Sequence, residues 1–274
     1  MVGRRGIGNQ TFRFLLTTDH RPPTTRRIDT PAISRAVTAL RSARHVCVLT
    51  GAGISAESGV PTFRDAQTGL WAQFRPEDLA TPEAFARDPK RIWQWYEWRR
   101  GLVRVAEPNA GHRALAHLAH RVPQLTLVTQ NVDGLHQRAG SHDVIEYHGN
   151  LFRDRCSVEG AVRERSTETI SGLPECARCG ALLRPDVVWF GEAIPEQAQR
   201  QADDAATNCD VFLSIGTAAA VYPAAGLADR AARAGAQVIE VNLEPTGLSE
   251  RADVALHGKA GTVLPALLVA LARA

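Results

Sequence analysis

A short, mostly apolar run, HVCVLT (45–50), stops directly on GAGISAESG (51–59). No other stretch of the chain restricts the fold so tightly. A strand that breaks onto glycines lets backbone N–H groups approach a phosphate closely. Gly51-Ala52-Gly53-Ile54-Ser55-Ala56 satisfies the dinucleotide fingerprint, with alanine in the last place. A tight strand–helix turn asks for the same residues on geometric grounds alone, so the loop by itself leaves both readings open. A hydride-transferring enzyme of this layout also carries an acid closing a second strand about 20 residues on. That region here reads PTFRDAQTGLW, with no strand pattern. The loop points to dinucleotide binding outside the usual dehydrogenase arrangement.

The rest of the chain alternates. PAISRAVTALRSA (31–43), NAGHRALAHLAHR (109–121) and YPAAGLADRAARAG have apolar residues at helical spacing. LTLVTQ (125–130), DVIEYHG, DVVWFGE, CDVFLSIGT and AQVIEVNLEP read as strands. This alternation predicts an α/β fold: a Rossmann-like, doubly wound, mainly parallel sheet with helices on both faces. Two segments depart from it. Residues about 66–106 read as a helical insertion dense in Trp93, Trp95, Tyr96 and Trp98. Residues about 153–184 are polar and carry cysteines, as a small zinc-ribbon-type module would. Residues 31–274 then form one domain, and 1–30 a loosely ordered extension.

Composition narrows the function classes. A hydrophobic content of 44% over 274 residues supports a proper core. A net charge of +3 is too small for a nucleic-acid footprint over the whole chain. No apolar run approaches the roughly 18–20 residues of a membrane span, and the apolar part of the Arg-rich N-terminus, FRFLL, is too short for a secretory signal. Five cysteines, two of them in one C-x-x-C, fit a reducing compartment and a metal better than a disulfide framework. A cytoplasmic monomer is expected, with neither nucleic acid nor membrane as partner.

GAGISAESGVPTFRD, TQNVDGLH, HGNLF, CARCG, VVWFGE and VNLEP occur in the order seen in the sirtuins, the NAD-dependent protein-lysine deacylases, and the match covers roughly residues 31–270. The chain therefore resembles that family. The resemblance implies that Gly51, Ala52, Gly53, Ala56, Glu57, Phe63 and Arg64 belong to the NAD loop. It implies that Gln130, Asn131 and Asp133 line the nicotinamide pocket, with Asp133 accepting from the carboxamide N–H. Gly216, Thr217, Ala218, Asn242, Leu243, Glu244 and Ala260 match positions around the adenosine. The family usually has serine where Ala218 stands, so one hydroxyl contact is missing. His148, with Asn131, is implied to be catalytic. An acyl-lysine carbonyl oxygen attacks the anomeric carbon, nicotinamide leaves, and His148 acts as general base on a ribose hydroxyl. Imidazole suits that task because it titrates near neutrality. Free lysine and acyl-ADP-ribose result. Val188, Phe190 and Gly191, with the segment after VNLEP, are implied to take the substrate peptide by β-augmentation.

Tyr96 and Arg99 stand three apart, on one face of a helix. They resemble the Tyr-x-x-Arg of the sirtuins that accept succinyl- and malonyl-lysine. A guanidinium and a phenol hydroxyl can clamp an acyl carboxylate. Deacetylation is expected to persist beside that activity, because an acetyl group occupies the same tunnel without meeting the clamp. For the structural zinc, Cys176 and Cys179 form one C-x-x-C pair and Cys156 is half of another. Glu159 stands where its fourth ligand would be; Glu159 or water completes the set, or the module holds without metal. Mono-ADP-ribosyl transfer to protein and a non-catalytic NAD-sensing module are the competing functions. Retention of Asn131, Asp133, His148 and the Tyr96/Arg99 pair favours deacylation over both.

Overall fold

The structure, a computed structural model, describes residues 30–61, 74–165 and 172–274. The chain opens with α1 (Thr30–Ser42) and β1 (His45–Thr50). Helices α2 (Pro76–Leu79), α3 (Pro82–Arg87) and α4 (Pro89–Val105) follow, then α5 (Ala110–Leu118) and β2 (Gln124–Thr129). Next come α6 (Leu135–Arg138), β3 (Ile145–Glu146), β4 (Gly149–Cys156), β5 (Val162–Glu164) and β6 (Leu183–Val187). The chain ends with α7 (Glu196–Asn208), β7 (Val211–Ile215), α8 (Gly226–Arg233), β8 (Gln237–Asn242), β9 (Val254–His257) and α9 (Ala260–Arg273).

Six strands form one sheet in the order β3-β2-β1-β7-β8-β9. Every pairing in it is parallel. The strand order reverses between β1 and β7, and at such a switch point the loops diverge and leave a crevice beyond the carboxyl ends. Both faces are covered, as all-parallel strands require. Val46 and Val48 of β1 join a core with α1, α5 and α9 on one side, while Cys47 and Leu49 join α7 and α8 on the other. That two-sided burial explains why the middle of β1, Val46 to Leu49, is continuously apolar rather than alternating.

The smaller part is a three-stranded antiparallel sheet, β5-β4-β6, packed with the α2–α4 helices around a separate core. Thr81 and Asp88 cap α3 and α4, each followed by proline in the first turn, so the chain restarts sharply twice. The module is longer than the cysteine-rich stretch of about 153–184. β4 already pairs with β6 at Gly149↔Val187, so it spans 149–187. VVWFGE is not a continuous strand: β6 ends at Val187, and the chain then turns back with Glu192 N–H donating to the Trp189 carbonyl (3.0 Å). Likewise β8 ends at Asn242, and the segment after it runs in bends and turns.

Candidate active site

Two glycine turns meet at the switch point. Gly51 N–H donates to the Ile215 carbonyl (3.0 Å), and Gly53 N–H to the Gly216 carbonyl (2.8 Å). A Cβ on Gly53 would lie 2.8 Å from Gly216 backbone atoms. Gly216 itself has φ +59°, and a Cβ there would lie 2.5 Å from the Ile54 nitrogen. The loops after β1 and β7 therefore touch backbone to backbone, which only glycine allows. After them Ala52–Ile54 and Ala56–Ser58 form two 3-10 turns. Gln130 Nε2 donates to Thr217 Oγ1 (3.1 Å), and Asn242 Nδ2 to the Thr217 carbonyl (2.8 Å).

Gly51, Ala52, Gly53, Gln130, Gly216, Thr217 and Asn242 are thus gathered, with Ala218 half-buried beside them. Ala56 is exposed, as are Leu243 and Glu244. Glu57 reaches the start of α9, where its Oε2 accepts from Gly261 N–H (2.7 Å) next to buried Ala260. Phe63 and Arg64 lie outside the described residues.

Behind the glycine loop is a buried set of neutral polar groups. Asn131 Nδ2 donates to the Gly51 carbonyl (3.0 Å) and to Ser55 Oγ (3.1 Å). Ser55 donates in turn to Asp133 Oδ2 (2.7 Å), while Leu135 N–H reaches Asp133 Oδ1 (2.9 Å). With its proton on Asp133, Ser55 receives His112 Nε2–H at 3.4 Å, and His112 Nδ1 accepts from Asn109 N–H (3.3 Å) in the capping box of α5. His136 Nε2 lies 2.9 Å from Thr50 Oγ1, which donates to Thr129 Oγ1. Burial holds His112 down to about 4 and His136 to about 3, so both rings are neutral. Burial raises the Asp133 pKa, against the opposing pull of Leu135 N–H, the Ser55 hydroxyl and the Arg99 charge.

His148 leaves β3 two residues on, with its Nδ1 3.0 Å from the Gln130 carbonyl. A carbonyl only accepts, so the proton sits on Nδ1 and Nε2 is the basic nitrogen. Burial lowers the His148 pKa, with the Gln130 carbonyl opposing. The ring is half-buried, and the free base dominates at neutral pH. Gly149 follows at φ +83°, where a Cβ would lie 2.1 Å from the Asp186 carbonyl oxygen, so the turn into β4 is tied to glycine. Val188 N–H donates to the His148 carbonyl (2.9 Å). Half-buried Val188 therefore abuts the histidine, while Phe190 and Gly191 are exposed on the turn beyond.

Tyr96 and Arg99 share one side of α4. Tyr96 is buried, and desolvation pushes its phenol up to about 12. Its oxygen accepts from Trp189 Nε1–H (2.8 Å). The Arg99 guanidinium lies over the Trp95 ring, 5.3 Å from its centroid. Burial lowers the Arg99 pKa, while Tyr96 and Asp133 act to raise it.

The cysteine module closes on four donors. The ligand atoms of Cys156, Glu159, Cys176 and Cys179 all lie within 4.8 Å of one another. Cys156 Sγ and Cys179 Sγ are 3.5 Å apart. Thiolates at about 2.3 Å from a tetrahedral zinc stand about 3.8 Å from each other, so the spacing suits that ion. Backbone N–H groups of Glu159 and Val158 point at Cys156 and lower its pKa, favouring the thiolate. Glu159 Oε2 pairs with Arg178 (3.3 Å), which leaves its other oxygen for a metal. Cys47 and Cys209 are buried in the core of the large sheet, away from this cluster.

Sequence reasoning assigned no task to Ser55, His112, His136 or Trp189. Ser55 and His112 meet across 57 positions, which no local spacing reports. The usable signal was Asn109, a helix cap with His112 at the third position after it.

The Sir2 family model matches residues 51–223. An NAD-dependent protein deacylase of Ralstonia nicotianae is 53% identical over 240 residues, covering 88% of this chain and 97% of the relative. NAD-dependent protein deacylase 2 of Pyrobaculum aerophilum is 52% identical over 229 residues, covering 84% and 92%. Among solved structures, a Sir2 homolog–NAD complex superposes with TM-score 0.83 at 44% identity, covering 88% of this chain and 94% of that one. A Sir2–p53 peptide–NAD+ complex gives TM-score 0.76 at 28% identity, covering 88% and 99%.

Proposed function

The chain belongs to the Sir2 family, and on that premise we infer that it removes acyl groups from protein lysine with NAD as co-substrate. NAD, when bound, supplies a ribose carbon activated by the departure of nicotinamide. The chain's own residues do the rest. The glycine turns at 51–53 and 216 offer backbone approach to the pyrophosphate. Asn131 is fixed by the Gly51 carbonyl and Ser55, and Asp133 by Ser55 and Leu135, so an amide arriving there meets acceptors that need no reorganisation. His148 takes the proton of a ribose hydroxyl at Nε2 and returns it to the leaving lysine side. The observation that carries this reading is the Nδ1–Gln130 bond, which leaves Nε2 as the base within the crevice.

For the acyl group we propose a preference for acidic chains, succinyl and malonyl, with acetyl also accepted. Arg99 supports this reading because a partly buried guanidinium favours a carboxylate, and Tyr96 because its phenol stays protonated and can donate. Three thiolates and Glu159 would hold a zinc ion that cross-links the ends of β4 and β6. No step of the chemistry runs through it.

The test is mass spectrometry of products from NAD with succinyl-, malonyl- and acetyl-lysine peptides. Acyl-ADP-ribose, nicotinamide and free lysine are expected, and His148→Ala should lower the rate by about 10²- to 10⁴-fold. ADP-ribosylated peptide instead of acyl-ADP-ribose, or full activity in the alanine variant, would overturn the assignment.

A further inference from the structure

Trp189 is the residue whose contacts exceed what core packing requires. Its indole N–H, a donor with no acceptor capacity, ends on the Tyr96 hydroxyl oxygen at 2.8 Å. Among the described residues no acceptor takes the hydroxyl's own proton. Both side chains are almost completely buried. Their rings are also in contact, with centroids 6.5 Å apart and an interplanar angle of 30°.

Trp189 is itself held from three sides. The Arg184 guanidinium lies flat against the indole, 3.4 Å from the ring centroid. Arg184 is fixed by both oxygens of Glu192 (2.5 and 2.9 Å) and by the Val187 carbonyl (2.6 Å). Glu192 Oε2 also accepts from the Trp189 backbone N–H (2.8 Å). Phe85 also packs against the indole, with ring centroids 5.3 Å apart and an interplanar angle of 46°. This is why VVWFGE does not continue β6: Glu192 folds back to Arg184 and locks the indole edge toward α4.

We propose that Trp189 is a positioning residue for acyl recognition. Its N–H occupies the acceptor side of the Tyr96 hydroxyl and thereby directs the hydroxyl proton to the carboxylate of an acidic acyl-lysine. A phenol hydroxyl left to itself can point its proton or its lone pairs at a ligand. With one acceptor position engaged by an obligate donor, the hydroxyl proton is turned away from Trp189 and toward a ligand, an orientation that suits a carboxylate and gains little from a neutral acetyl group. The inference rests on the Tyr96/Arg99 clamp reading given above.

The test compares succinyl- and acetyl-lysine peptides on wild type, Trp189→Phe, Tyr96→Phe and the double variant. Phenylalanine keeps an aromatic ring for Arg184 and Phe85 but removes the second indole ring together with the donor, so the acetyl peptide serves as the control for lost packing. The expected result is a KM for the succinyl peptide raised about five- to tenfold in Trp189→Phe, with the acetyl KM changed less than about twofold. Trp189→Phe should add nothing further once Tyr96 is phenylalanine. Equal losses on both peptides would mean a packing role and overturn the proposal. If Tyr96→Phe leaves succinyl turnover untouched, the clamp itself is wrong. If Tyr96→Phe is impaired but Trp189→Phe is not, the clamp stands and Trp189 has no part in it. Should Trp189→Phe fail to fold, benzothienylalanine at position 189 replaces N–H by sulfur at nearly the same shape. The same selective loss is then expected, and its absence overturns the proposal.

Discussion

The molecule has two polar interiors, built on opposite terms. Behind the glycine loop of the large sheet, Ser55, His112, Asn131, His136 and the Thr50/Thr129 pair are neutral, and Asp133 is the one acid among them. Between α4 and the small sheet the interior is ionic. Arg100 is completely buried, with Nε on the Leu151 carbonyl (2.5 Å), one terminal nitrogen on Glu97 (2.7 Å) and the other on buried Asp154 (3.0 Å). Arg165 bridges the same two acids. In the same sheet Arg153 and Arg155 both grip Asp186, and Arg184 grips Glu192. The difference teaches a division of labour. Where the proposed chemistry asks for an amide to be held and a neutral histidine to stay a base, the histidines are kept neutral by burial and Asp133 is the one acid among the buried polar groups. Where an insertion must be fixed rigidly to a sheet, charge is used because its geometry is specific, at a desolvation cost that is recovered only while every partner is present.

The ionic side should therefore break hardest. Arg100→Met leaves the Leu151 carbonyl unmet and Asp154 with Arg165 as its close partner. A loss of about 3–5 kcal/mol in denaturant unfolding is expected. Replacing Asp154 as well, in Arg100→Met/Asp154→Leu, should restore part of that loss, since no buried charge is then stranded. A cost below about 1 kcal/mol for the single variant would mean that the two interiors do not differ as described.

These networks also mark where sequence reading stops. β1 was legible because both of its faces are buried, so its composition alone declares it. The glycines at 51, 53 and 216 were legible because backbone contact leaves no other residue type. C-x-x-E at 156–159 was legible by spacing. The end of β6 was not. Val187, Val188, Trp189 and Phe190 have strand composition, and only Arg184 and Glu192 closing over the indole show that the chain turns there. Arg100 sits beside Arg99 with nothing in the local pattern to separate them. One is buried among acids, and the other lies half-buried over the Trp95 ring. Residue type sets what a side chain can do, and the distant partner decides which of two neighbours does it.

A smaller effect is expected where the ionic region meets the cysteines. With Glu159 as fourth donor, Glu159→Ala should weaken zinc retention about a hundredfold in competition with a chromogenic chelator, and Glu159→Cys should tighten it. Equal retention in wild type and Glu159→Ala would show that Glu159 serves only Arg178. The readout is metal affinity, so it does not depend on turnover.

The mildest perturbation, acid short of denaturation, separates the two interiors best. His112 and His136 hold folded pKa values of about 4 and about 3, below the ordinary 6.5 of the unfolded chain. Between those limits the unfolded state binds more protons, so stability rises with pH. The contribution is complete above about 6.5 and is lost as pH falls toward 4 and 3, at up to roughly 1.4 kcal/mol per pH unit for each histidine. Asp133, raised by burial, acts with the opposite sign but only above its unfolded value of 3.8, where its folded form retains a proton longer. Between pH 7 and 5 the two buried histidines carry the expected slope. Thermal unfolding across that window should thus fall steadily in wild type and in Arg100→Met. Its slope should be reduced by about half in His136→Gln, whose amide keeps a donor for Thr50 but cannot titrate, with His112 still contributing. If Arg100→Met reduces the slope and His136→Gln does not, the pH sensitivity has been assigned to the wrong interior.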